Sequence, residues 1–107
     1  GRLKEIINKG GEKISPLEID NVLMDHPSIE QAVCFGYEDK MLGEDIATAI
    51  IVKEGVNCTE EDLKNYANEK LAKFKVPKKI FFVNEIPKGA TGKLQRNTLA
   101  KKFGLVN

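Results

Sequence analysis

The chain has 107 residues, 41% of them hydrophobic and 31% charged, which suits one compact domain around a modest core and excludes a second domain or a disordered chain. A formal net charge of +1 excludes capture of nucleic acid by bulk charge, although lysines gather locally in KLAKFKVPKK and KLQRNTLAKK. No run of about eighteen apolar residues occurs, so no membrane span is expected, and GRLKEIINK lacks the apolar core of a signal peptide.

In chain order, LKEII reads as a strand or half a helix, and the glycines of NKGG before EKI favour a small hairpin. SPLEIDNVLMDHP predicts a helix over 16–25, with Ser15 as N-cap, Pro16 in the first turn and Glu18 closing a capping box. Ile19, Val22 and Leu23 share its buried face, with the rest of EIDNVL solvated, and His26 with Pro27 ends it. IEQAVCFGYED and EDIATAIIVKEG predict paired strands. TEEDLKNYANEKLAKF predicts a second helix capped by Thr59 with Asp62 at N3, with Leu63, Tyr66, Ala67 and Leu71 at helical spacing. VPKKIFFVNEIP reads as a third strand, KGATGK as a loop and LQRNTLAKKF as a closing helix. The fold class is α+β: a small N-terminal β-hairpin followed by a three-stranded sheet packed with about three helices.

Chemistry has few candidates. IPKGATGKLQR looks like a phosphate loop but fails the pattern: Pro87 stands where the first glycine belongs and Leu94 follows Lys93 in place of Ser or Thr. Spacing alone leaves Lys93 between a solvated loop lysine and a cation that offsets carboxylate and phosphate charge, with Gly89 and Gly92 allowing close approach. The glycine pair of NKGGEKI is likewise a plain turn or a surface against which an extended ligand lies. His26, the only histidine, is a helix stop, with no Ser/His/Asp or Cys/His set around it. Cys34 and Cys58 have neither metal nor disulfide spacing, so no metal site and a reducing compartment are expected. Phe74, Phe81 and Phe82 read as core, which argues against a single-strand nucleic-acid binder.

Taken together, GRLKEIINKGGEKISPLEID, HPSIEQAVCFG, GEDIATAIIV, FKVPKKIFFV and IPKGATGKLQR resemble, in order and spacing, the C-terminal domain of the adenylate-forming enzymes. These include acyl-CoA synthetases, aryl-CoA ligases, luciferases and peptide-synthetase adenylation domains. The resemblance covers nearly all of the chain and is nearest to the oxalate-CoA ligase and 4-coumarate-CoA ligase-like branch. It implies an AMP-forming acid–thiol ligase, an acyl-CoA synthetase of the kind that serves fatty acid metabolism. ATP joins a small carboxylic acid as an acyl adenylate, and coenzyme A then displaces AMP, with Mg2+ accompanying ATP. Residues 1–107 would be its mobile C-terminal domain, swinging between two states and inactive without the large N-terminal domain, which this chain lacks.

The same resemblance assigns Lys93 to adenylation, Arg2 and Lys13 to the nucleotide, and Lys4 to the hinge. It assigns Gly10, Gly11 and Glu12 to the pantetheine path, and Lys75 and Lys78 to the nucleotide end of coenzyme A. Gly89 departs from the Thr usual after PK. A start on Gly1 in place of Met leads us to expect processing or a fragment, and a cytoplasmic or peroxisomal setting is expected, the GLVN end differing from a peroxisomal SKL address. Two alternatives remain: the same domain loading a carrier protein's phosphopantetheine, and a non-catalytic binding module.

Overall fold

The computed structural model describes residues 6–87 and 96–105. Strands β1 (Ile7–Lys9) and β2 (Glu12–Ile14) form the expected hairpin, with β1 sharing only Ile7 with LKEII, and helix α1 (Pro16–Met24) follows. Strands β3 (Ile29–Asp39) and β4 (Gly43–Val52) pair antiparallel along their whole length, as expected. Helix α2 (Glu60–Lys70), a 3₁₀ turn at Lys73–Lys75, strand β5 (Lys79–Phe82), a second 3₁₀ turn at Arg96–Thr98 and the short helix α3 (Leu99–Lys102) complete the described chain.

The hairpin and the three later strands are one five-stranded sheet, not two separate pieces. Strand β4 pairs with β3 along one edge; on the other it meets β1 at Lys9 opposite Gly43 and runs parallel to β5 over Ala47–Ile50. Strand alternation then loads both faces. Ala32, Cys34, Ile46 and Ile50 join Ile19, Leu23, Leu63 and Ala67 beneath α1 and α2. Val33, Phe35, Ala47 and Ala49 join Ile86, Leu99 and Ala100 on the opposite face. There Phe103 stacks on both Phe35 and Phe81, at centroid distances of 5.7 and 4.7 Å.

Three local expectations fail. Ser15 is the N-cap of α1 but makes no side-chain cap bond, and no capping box forms. Glu18 is held instead by Lys75, whose Nζ donates to both carboxylate oxygens at 2.9 and 3.0 Å. Asp20 is not on a solvated face but buried, 3% exposed, in one stripe with Pro16, Ile19 and Leu23. Phe74 and Phe82 are exposed, at 39% and 43%, whereas Phe81, on the opposite side of β5 from Phe82, lies against core. The box at Thr59 and Asp62 does form, with both reciprocal bonds at 3.1 Å. His26 ends α1 as expected: its Nδ1 accepts from the Ser28 N–H, and its ring meets Tyr66 edge-on at 4.8 Å.

Candidate functional site

Gly10 and Gly11, with φ of +57° and +92°, make the two-residue turn between β1 and β2, Lys9 pairing with Glu12. Left-handed φ at both central positions is the type I′ turn, which needs glycine and whose twist matches the flanking strands. This turn is anchored from below. The Gly10 N–H donates to the Leu42 carbonyl at 2.7 Å, and a Cβ at Gly10 would lie 3.2 Å from the Leu42 side chain. The Asn8 N–H donates to Glu44 Oε1 at 2.7 Å. Glu44 reaches it across Gly36, where a Cβ would meet Oε2 at 2.8 Å. Gly11 is different: a Cβ there would meet nothing within 4 Å, so its outer side is open. Glu12 and Lys13 beside it are exposed.

Lys9 connects this turn to the lysine-rich segment. Its Nζ lies 3.0 Å from Asp45 Oδ1 and donates to the Phe74 carbonyl at 3.0 Å. Asp45 is buried and also accepts from the Ile46 N–H at 2.7 Å, so a nearly enclosed ion pair clamps β1, β4 and the Lys73–Lys75 turn together. The clamp ties the strand that leads into the Gly10–Gly11 turn to the Lys73–Lys75 segment. Lys75 is committed to Glu18, whereas Lys78 is exposed, its backbone N–H tied to the Ile46 carbonyl at 2.8 Å.

Arg2, Lys4 and Lys93 lie outside the described residues. What the structure fixes are the flanks of the stretch carrying Lys93: Ile86 is buried in the core on one side, and Arg96 on the other. Arg96 Nη1 lies 2.7 Å from Asp20 Oδ2 and donates to the Cys34 carbonyl at 2.9 Å, while the Cys34 N–H donates to Asp20 Oδ1 at 2.6 Å. The sequence reading missed this cluster. Its signal was a carboxylate in the apolar stripe 16, 19, 20, 23, since a buried aspartate requires a cation or donors. Burial first, and Asp20 second, push the Cys34 thiol well above its usual pKa, leaving it inert. Among the described residues no group of three or more His, Cys, Asp or Glu could hold a metal ion, and no helix is long and apolar enough to cross a membrane.

The described residues form a five-stranded α+β domain with a glycine turn open above Gly11 at one sheet edge and a buried Asp20–Arg96 pair at the other. The chain belongs to the AMP-binding enzyme C-terminal domain family, whose model matches residues 18–93. It is 50% identical over 103 residues to an oxalate–CoA ligase of Saccharomyces cerevisiae, covering 96% of this chain and 19% of that protein. With an oxalate–CoA ligase of Arabidopsis thaliana it shares 52% identity over 103 residues, covering 96% and 20%. ATP-bound MatB from Rhodopseudomonas palustris superposes with a TM-score of 0.88 at 28% identity, over 96% of this chain and 20% of that one. The chain thus spans about a fifth of the length of the relatives it matches.

Proposed function

We propose that residues 1–107 are the mobile C-terminal domain of an AMP-forming acid–thiol ligase, acting with a large N-terminal domain of the same protein on a small carboxylic acid, ATP and coenzyme A. In the first half-reaction the carboxylate attacks the α-phosphorus of ATP, and pyrophosphate leaves with the bonding pair. Two anions must meet there, and Lys93 supplies the compact cation that offsets their repulsion. Arg2 and Lys13 hold the nucleotide, and Lys4 is the hinge. Mg2+ travels with ATP on the large domain. In the second half-reaction the thiolate of coenzyme A attacks the acyl carbonyl and AMP departs. Gly10, Gly11 and Glu12 then line the path of the pantetheine arm. Lys78, already exposed, is the better placed of the two lysines for the phosphates, since Lys75 must first leave Glu18. Two free cysteines support a reducing compartment, cytoplasm or peroxisome.

The observation that carries this reading is the glycine turn, held firmly from below yet open above Gly11, as a wall for an extended arm must be. In the full-length enzyme, Gly11→Ala is expected to slow thioester formation from a supplied acyl adenylate while ATP–pyrophosphate exchange persists. Lys93→Ala is expected to do the reverse. If both substitutions slow the same half-reaction, the assignment of separate tasks to the two segments is wrong.

A further inference from the structure

Three segments cross at one nearly enclosed ion pair. Lys9 is the last residue of β1 and directly precedes Gly10. Its Nζ meets Asp45 Oδ1 of β4 and donates to the Phe74 carbonyl, both at 3.0 Å, and Phe74 directly precedes Lys75. The next residue of β4, Ile46, has its N–H held by Asp45 Oδ1 at 2.7 Å, and its carbonyl accepts from the Lys78 N–H at 2.8 Å. Gly10, Lys75 and Lys78 are thus each one chain step or one hydrogen bond from the cluster formed by Lys9, Asp45, Ile46 and the Phe74 carbonyl.

Strand β4 does not need this cluster to stay in the sheet, being matched to β3 along its length and to β5 over Ala47–Ile50. Strand β1 is different, since it pairs with β4 only at Lys9 opposite Gly43. A buried ion pair is often no more stabilising than an apolar pair of similar volume. What this one adds is a directional link between β1, β4 and the Lys73–Lys75 turn. Coenzyme A is a two-ended ligand, with the thiol on a pantetheine arm and phosphates at its nucleotide end. Two contacts on one ligand reinforce each other only when their sites stand at a span the ligand can bridge, and the gain is then about 10²- to 10⁴-fold.

We propose that the Lys9–Asp45 pair is a positioning device for the acceptor: it holds the glycine turn at a fixed span from the segment bearing Lys75 and Lys78. An acceptor with both an arm and a phosphate-bearing end, coenzyme A, is thereby favoured over one that offers the arm alone. The inference rests on the reading of the glycine turn and of these two lysines given above. Lys9 suits the task because one ammonium, with three donors, serves the Asp45 carboxylate and the Phe74 carbonyl at once.

The test uses the full-length enzyme as wild type, Lys9→Met/Asp45→Leu and Lys75→Ala/Lys78→Ala. Each is assayed for thioester formation from supplied acyl adenylate, once with coenzyme A and once with pantetheine, and for ATP–pyrophosphate exchange. Lys9→Met/Asp45→Leu is expected to raise KM for coenzyme A by about tenfold or more, with kcat, the reaction with pantetheine and the exchange each within about twofold of wild type. The ratio of kcat/KM for the two acceptors on one preparation is independent of folded content, so a merely structural role leaves it unmoved. An unmoved ratio overturns the proposal when Lys75→Ala/Lys78→Ala lowers it. If wild type does not prefer coenzyme A to pantetheine, or the lysine variant keeps that preference, the reading of those lysines fails and this inference with it. Should Lys9→Met/Asp45→Leu not accumulate as folded enzyme, Lys9→Gln removes the charge and is read by the same ratio.

Discussion

Lys9 shows how much one long side chain can organise. Its ammonium meets Asp45 and the Phe74 carbonyl in a nearly dry setting. Removing one partner of such a pair strands the other, which costs about 3–5 kcal/mol, whereas removing both can be close to neutral. Urea unfolding is therefore expected to show Lys9→Met strongly destabilised and Lys9→Met/Asp45→Leu recovering most of the loss. A double variant no better than the single one would mean that Lys9 acts through packing of its stem and not through charge. None of this was legible beforehand, because a lysine beside two glycines reads as a solvated turn residue and its carboxylate lies far along the chain. Asp20 was nearer to legible. It interrupts an apolar stripe at helical spacing, and only the identity of its partner, Arg96, required the fold.

At the scale of the element, the two predicted helix caps show what local sequence can decide. Thr59 and Asp62 have no competitor, and their reciprocal bonds form. Ser15 and Glu18 have the same spacing, but the Glu18 carboxylate is held by Lys75, which donates to both of its oxygens, and so does not turn back to the Ser15 N–H. The surviving box carries a pH signature. Hydrogen bonds from the Thr59 backbone, and next its side chain, hold the Asp62 carboxyl below its ordinary value of 3.8. Because folding lowers this pKa, the contribution to α2 is complete above the ordinary value and fades as pH falls through the lowered one. Unfolding followed by circular dichroism from neutral to acid pH is expected to show Asp62→Asn less stable than wild type at neutrality, with the gap closing only in acid. A gap that persists undiminished at the acid end would assign the effect to the shape of the side chain instead. Helices α1 and α2 and the β3–β4 pair were readable because caps, stripes and alternation are short-range. The parallel seating of β5 on β4, the merging of the hairpin into the sheet and the exposure of Phe74 and Phe82 depend on contacts between distant segments.

Across the whole molecule the sheet is unevenly secured, in a way that fits a domain presenting different segments at its two edges. Strand β4 is buried on both faces and paired on both sides, with β3 matched to it from Ile29–Val52 through Asp39–Gly43. The hairpin, by contrast, buries Ile7 and Ile14 in the core at its far end, while among the described residues its turn end is held by one residue pair, the Gly10–Leu42 bond, the Asn8–Glu44 bond and the Lys9 clamp. Local opening follows the number of bonds and the apolar area that must be given up, so the turn end of the hairpin, Asn8 to Gly11, should open without the rest. Amide hydrogen exchange is expected to be slowest in Ala47–Ile50 and markedly faster at Asn8 and Gly10. Glu44→Ala should accelerate Asn8 and Gly10 further while leaving Ala47–Ile50 unchanged, because the lost carboxylate anchors only the hairpin. If Glu44→Ala instead speeds exchange throughout β4, turn and sheet open as one unit. The glycine turn would then owe its shape to the global fold and not to the four local anchors beneath it.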